Sequence, residues 1–153
     1  MKHLLVSTVA FFGFVGAAYA CPDYSLVGTE VITGNGGDLY AAPSFDIVAG
    51  GENYLPDCGF DDHEVGYFTT APDFTFDLSD MDDFEKVVIS VESDCDSALL
   101  INTDSTHWFY DDDSNGNGDP RLDIVRVGDG LLDVWIGTFD GAYCDAVLTL
   151  ETF

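Results

Sequence analysis

The stretch EKVVISVES, residues 85–93, decides the fold class of this chain. Every second residue from Val87 to Val91 is β-branched and apolar, whereas the alternate positions include Ser90 and Glu92. Successive side chains of an extended strand point to opposite faces, so this alternation gives one apolar face and one mixed face. β-Branched residues also favour strands over helices. The stretch therefore predicts a β-strand with one buried face.

Short runs with the same alternation recur on both sides, separated by Gly, Asp and Asn residues. They are FTFDL (74–78), SALLIN (97–102), HWFYD (107–111), RLDIVRV (121–127), LLDVWIGTF (131–139) and AVLTLETF (146–153), with weaker candidates in SFDIVAGG (44–51) and GYFTT (66–70). This pattern is typical of an antiparallel sandwich or barrel. SDMDDFE (79–85) predicts either one helical turn or a loop, and GNGGDLYAAP (34–43) predicts a loop.

The N-terminus has the features of a secretory signal peptide. Lys2 is followed by an apolar run from Leu4 to Ala17, which is too short to span a bilayer comfortably. Ala18-Tyr19-Ala20 matches an A-x-A cleavage site. We therefore expect residues 1–20 to be removed by cleavage between Ala20 and Cys21, leaving residues 21–153 as one exported domain, periplasmic or secreted. Lipidation of Cys21 and a retained membrane anchor are the alternatives.

The charge of the mature chain limits its partners. Without the signal peptide, Lys86, Arg121 and Arg126 are the basic residues that face 29 Asp and Glu residues. Such an excess repels phosphates, so nucleic acid is excluded as a partner, and anionic membranes are disfavoured. Cations, basic proteins and a high-salt habitat are compatible with it. Because 46% of the residues are hydrophobic and 14% aromatic, the acidity indicates a solvated surface on a folded core rather than disorder.

Four cysteines, Cys21, Cys58, Cys95 and Cys144, all belong to the predicted mature part. Exported proteins form and keep disulfides, and four cysteines allow three pairings. We favour Cys21–Cys58, which would hold the new N-terminus, and Cys95–Cys144, which would join a strand start to the turn before the last strand. Their wide spacing does not resemble a CxxC metal or redox motif, so a cysteine zinc site is not expected.

The second half of the chain resembles the bacterial pre-peptidase C-terminal (PPC-like) domains. The matching pieces are Asp96-Ser97-Ala98-Leu99, Asp111-Asp112-Asp113-Ser114, the run from Gly130 to Phe139, and Leu148-Thr149-Leu150. GYFTTAPDFTF, residues 66–76, matches an upstream segment of small exported relatives. The resemblance covers roughly residue 66 to the end.

The resemblance implies a jelly-roll-like antiparallel β-sandwich. We expect about eight strands, stapled by the two disulfides predicted above. PPC-like domains commonly sit beside secreted peptidases and are not themselves catalytic, and some related sandwiches bind calcium or matrix polymers. No peptidase domain accompanies the domain in this sequence. The resemblance therefore implies a free-standing exported module rather than part of a protease.

The loop after HWFYD carries a candidate metal site. Asp111, Asp113, Asn115, Asn117 and Asp119, with Gly116 at the bend, follow the pattern D-x-D-x-N-G-x-x-D. Calcium prefers six to eight oxygen ligands, and loops supply them from alternate residues with a glycine at the turn. The twelfth position is Leu122 instead of a bidentate Glu, so this is not an EF-hand. An acidic hairpin turn without an ion is the alternative, since turns favour the same residue types.

The sequence contains none of the catalytic motifs that we considered. The predicted mature chain has only His63 and His107, and neither belongs to an H-E-x-x-H motif; G-x-S-x-G is also missing. Trp108 and Tyr110 share one strand face and, with Trp135, could stack on a sugar if exposed, although core packing is the favoured interpretation.

We therefore expect an exported, non-catalytic β-sandwich module that binds or supports another molecule, a secreted protein or a polysaccharide, with a calcium-stabilised loop as a hypothesis. A small extracellular hydrolase that uses carboxylates is the alternative from another class. An inhibitor or escort of a secreted peptidase is the third.

Overall fold

The computed structural model describes residues 20–153. Apart from Ala20, the predicted signal peptide lies outside the described residues. None of the helices within the described range is long and apolar enough to cross a membrane.

The described residues form eleven strands in two sheets, with very little helix. The strands are β1 (Glu30–Asn35), β2 (Ser44–Ala49), β3 (Asn53–Tyr54), β4 (Tyr67–Phe68), β5 (Phe74–Ser79), β6 (Lys86–Ser93), β7 (Ser97–Thr103), β8 (Trp108–Asp111), β9 (Arg121–Val125), β10 (Gly130–Thr138) and β11 (Cys144–Thr152). The helices are α1 (Gly36–Leu39) and a 3-10 helix (Leu55–Cys58). This confirms the all-β class.

The large sheet has seven strands, and β10 is its hub because it pairs with β5, β7 and β4. Beyond these, β1 pairs with β5, β8 with β7, and β3 with β4. The small sheet has four strands in the order β2-β11-β6-β9. The chain crosses repeatedly from one sheet to the other, as in a jelly-roll-like sandwich. All pairs are antiparallel except β1–β5, which is parallel.

The main core lies between the two sheets and is built by the predicted alternation. In β6, Val87, Ile89 and Val91 are buried and face the large sheet. β11 contributes Leu148 and Leu150 from the neighbouring strand. From the large sheet come Phe74, Phe76, Leu99, Ile101, Leu132, Val134 and Ile136. Burying an aliphatic side chain of this size contributes about 1.5–3 kcal/mol, so this interior is the main source of stability.

A second, smaller core covers the outer face of the large sheet. Leu100 and Trp135 lie on that face and are fully buried against Leu55 and Phe68 from the segment between β2 and β5. Trp108 packs on Trp135, with ring centroids 5.3 Å apart. The predicted core role of Trp135 is confirmed. Trp108 and Tyr110 pack against the same cluster, which agrees with their shared parity.

Both predicted disulfides are present, Cys21–Cys58 with a Cα–Cα distance of 5.5 Å and Cys95–Cys144 with 6.2 Å. The first holds the N-terminal segment over the second core, where Tyr24 meets the ring of Trp108 edge-on at 5.9 Å between centroids. The second joins the turn after β6 to the start of β11.

Two details differ from the sequence expectations, and a third decides between two alternatives that the sequence left open. The described strands number eleven rather than about eight, because β1 and the short β3 carry too few apolar residues to be recognised. Within the predicted loop 34–43, α1 forms because Asn35 caps it, accepting from the backbone of Asp38 while the Asp38 side chain accepts from the Asn35 backbone. Of the two alternatives for residues 79–85, the structure has a loop after Ser79, the last residue of β5.

Candidate functional site

The predicted calcium loop connects β8 to β9, and its first acid organises the loop itself. The Asp111 carboxylate accepts a hydrogen bond from the Ser114 hydroxyl at 2.6 Å and from the Ser114 backbone at 3.0 Å. It also accepts from the Arg121 backbone N–H at 2.8 Å, across the base of the loop. An Asp at this position satisfies three donors that would otherwise lack partners within the turn.

The last acid of the pattern, Asp119, points inward. Asp119 is 7% exposed. Its Oδ1 accepts three hydrogen bonds, from the Ser93 backbone N–H at 3.0 Å, the Ser93 hydroxyl at 2.7 Å and the Ser97 hydroxyl at 3.3 Å. Asn115 donates its side-chain N–H to the Val91 carbonyl at 3.0 Å. Asp119 and Asn115 therefore attach the loop to β6 of the small sheet, and Asp119 also bonds to the start of β7.

The two remaining predicted ligands, Asp113 and Asn117, lie at the exposed tip of the loop. Asn117 adopts a left-handed conformation with φ of 62°, next to Gly116 with φ of 82°. The loop thus divides the predicted ligand set, with Asp111, Asn115 and Asp119 bonded to the chain and Asp113 and Asn117 in solvent. Among residues 20–153, no group of three or more His, Cys, Asp or Glu side chains is arranged to hold a metal ion.

Acidic side chains from neighbouring turns crowd this end of the sandwich. Asp96 lies in the turn between β6 and β7, and a side-chain carbon built on Gly118 would be 3.4 Å from its carboxylate. Partial burial raises the pKa of Asp96, and the negative charges of Asp113, Asp112, Asp140 and Asp119 raise it further. We call these five carboxylates the acidic end.

Sequence reasoning did not identify Asp96 and Asp140 as part of this end. Asp96 follows Cys95, and Asp140 lies in the turn that leads to Cys144. The predicted disulfide between these two cysteines was the available signal, because a disulfide requires the two turns to lie side by side.

A groove of about 780 Å³ lies on the outer face of the small sheet and ends beside the Cys95–Cys144 disulfide. Its lining residues come from the three strands β2, β11 and β6 and from the turn after β6. They are Asp46, Ile47, Val48, Glu92, Ser93, Asp94, Asp145, Ala146 and Val147. We call this surface the acidic groove, since four of these side chains are carboxylates.

The strand register sets an alternating pattern in the acidic groove. Asp46 lies opposite Val147, which lies opposite Glu92, so an exposed valine separates two carboxylates in one row. In the next row, Val48 lies opposite Asp145. The Asp145 carbonyl accepts a hydrogen bond from the Asp94 backbone N–H at 3.1 Å, so Asp94 lies beside this row. Val48 is 54% exposed and Val147 is 36% exposed. The groove therefore offers apolar contact area with negative charge on each side of it.

No protein-family model matches the sequence, and no curated protein matches it significantly. The resemblance to PPC-like domains stays a prediction from the sequence pieces that carry it.

Proposed function

We propose that this protein is an exported, non-catalytic β-sandwich module of the PPC-like kind, and that its acidic end takes up calcium. The observation that carries the proposal is the approach of carboxylates from three separate turns at one end of the sandwich. Like charges held together by the fold repel one another, and a divalent cation between them removes that cost. The two disulfides support an oxidising, exported setting.

The calcium ligands would come from the carboxylates that point to solvent. Asp111 and Asp119 accept hydrogen bonds from the chain, and the Oδ1 of Asp140 accepts one from the Ala142 backbone at 2.9 Å. The ligands would therefore be Asp96, Asp113 and the second carboxylate oxygen of Asp140. Backbone carbonyls and the Asn117 amide would add neutral oxygens. Because the described acids form no ready-made group, the tip of the loop has to close on the ion. We therefore expect a dissociation constant in the millimolar range of extracellular modules.

Thermal melting in calcium tests this proposal. At a calcium concentration ten times the dissociation constant, binding to the folded state adds about 1.4 kcal/mol, which corresponds to a rise in Tm of about 4 °C. Asp113→Asn should abolish the rise. Asp82→Asn is the matched control and should retain the rise, because Asp82 is exposed and precedes β6, whereas Asp96 follows the other end of that strand. An unchanged Tm for the wild type in 20 mM calcium would end the calcium proposal.

Two further measurements address the rest of the proposed function. Hydrolysis of a polysaccharide panel by the purified protein, lost in Asp96→Asn/Asp113→Asn, would show a carboxylate hydrolase instead. Intact mass of the exported protein should correspond to residues 21–153 with two disulfides, and a diacylglycerol adduct on Cys21 would show a lipoprotein.

A further inference from the structure

The acidic groove, of about 780 Å³, shares no carboxylate with the acidic end and has no part in the proposed calcium site. We infer that it is a docking surface for an extended segment of a partner protein that carries several Arg or Lys side chains. The inference goes beyond the proposed function, because it assigns a second surface and a class of partner to it.

The charges that line the groove lack neutralising partners nearby. Asp46, Glu92, Asp94 and Asp145 are all exposed, and the lining set contains neither Lys nor Arg. Among the described basic residues, Lys86 and Arg121 both bind Asp123, at 2.7 and 3.0 Å, on the β9 side of the small sheet. Arg126 follows β9 and is not part of the lining set. The charge that complements the groove must therefore come from another molecule, and it must be positive.

The valines between the carboxylates favour basic side chains over bare cations. Arg and Lys have long aliphatic stems that pack on apolar surface while their charged ends reach polar partners. In the row Asp46–Val147–Glu92, a stem lying on Val147 has a carboxylate on either side. The rings that would stack on a neutral sugar are missing from the lining set.

The spacing of the groove suits an extended chain. Neighbouring strands lie about 4.8 Å apart, so the carboxylates at the two ends of a three-strand row are about 10 Å apart. Along β11, Asp145 and Val147 are two residues apart, or about 7 Å. Side chains i and i+2 of an extended peptide have the same 7 Å repeat. A segment with basic residues at alternate positions can therefore meet carboxylates from two rows at once.

The test measures binding of a fluorescein-labelled hexapeptide, Arg-Val-Arg-Val-Arg-Val, to the mature protein at 150 mM NaCl by fluorescence anisotropy. The double variant Asp46→Asn/Glu92→Gln should weaken binding at least tenfold. The control Glu30→Gln/Asp62→Asn removes the same charge from exposed positions outside the groove and should change affinity less than twofold. Equal losses in both double variants would show diffuse attraction to net charge and overturn the inference, as would no binding below 1 mM peptide.

A third variant tests the apolar part of the surface. Val147→Ser should weaken the binding of both Arg-Val-Arg-Val-Arg-Val and Arg-Gly-Arg-Gly-Arg-Gly at least threefold, because the arginine stems that pack on Val147 are common to the two peptides. An affinity within twofold of the wild type for both peptides would remove the role of the valine. The calcium rise in Tm should persist in the groove variants, so a failed ion site and a failed docking surface give different results.

Discussion

Asp73, directly before β5, is a buried carboxylate whose ionisation is linked to the stability of the fold. Asp73 is 7% exposed, and its Oδ2 accepts a hydrogen bond from the Ile136 backbone N–H at 2.7 Å. Desolvation raises its pKa from 3.8 to about 7, although that hydrogen bond opposes the shift. The folded state holds this proton more tightly than the unfolded state. The protonated Asp73 therefore makes its full contribution to stability below pH 3.8. This contribution is lost as the pH rises to about 7, which lowers the free energy of unfolding by about 4 kcal/mol.

Asp73→Asn should therefore flatten the pH dependence of the free energy of unfolding. The amide oxygen can still accept from Ile136, and the amide does not ionise. We expect the variant to gain stability relative to the wild type between pH 4 and pH 8, by up to about 4 kcal/mol. Urea unfolding of both proteins across this range measures the difference. Parallel curves would mean that Asp73 titrates normally, because the other carboxylates are common to both proteins.

Among the strands, those that the sequence predicts have a strong local pattern, and those that it does not predict are formed by pairing between distant segments. β6 and β11 were recognised because a core on one face requires strict alternation over eight or more residues. β1 has only Val31 and Ile32 to signal a strand and is held by its pairing with β5, which a local pattern cannot reveal. The acidic groove was missed for the same reason, since its rows exist only once β2, β11 and β6 are in register.

The acidic loop shows the limit of motif spacing. The spacing of Asp111 and Asp119 suits a calcium loop, but the donors that bind them come from residues outside the motif, such as Arg121 and Ser93. Which oxygens stay available to an ion depends on those partners. The sequence therefore predicts a loop but cannot divide its acids between structural and solvent-facing roles.

The close contact between the turn before β3 and the end of β4 depends on Gly51. A side-chain carbon at Gly51 would lie 1.9 Å from the Phe68 carbonyl carbon and 2.3 Å from its oxygen, both backbone atoms that cannot rotate away. Gly51→Ala must push the turn between β2 and β3 away from β4 and loosen the second core, in which Phe68 is fully buried. We expect a loss of about 3 kcal/mol in the free energy of unfolding, measured by urea denaturation.

Gly128→Ala is the matched control for that variant. Nothing lies within 4 Å of a side-chain carbon at Gly128, which lies in the turn between β9 and β10. The substitution should leave stability within about 0.5 kcal/mol of the wild type. Equal effects of the two alanines would contradict the close packing at Gly51.

For the whole molecule, self-repulsion of the acidic surface opposes folding. The sequence carries a net charge of −25, and the fold brings carboxylates into the acidic end and the acidic groove. Salt screens exposed charges over about 8 Å at 0.15 M and over shorter distances at higher concentrations. Raising NaCl from 10 to 500 mM should therefore increase Tm by about 5 °C, measured by differential scanning calorimetry at pH 7.

A variant with four exposed acids neutralised, Glu30→Gln/Glu52→Gln/Asp62→Asn/Asp82→Asn, tests the cause of this increase. Its Tm should be higher than that of the wild type at low salt and should rise less when NaCl is added. An equal rise in both proteins would indicate a general salt effect on apolar burial, because only repulsion between carboxylates depends on how many of them remain.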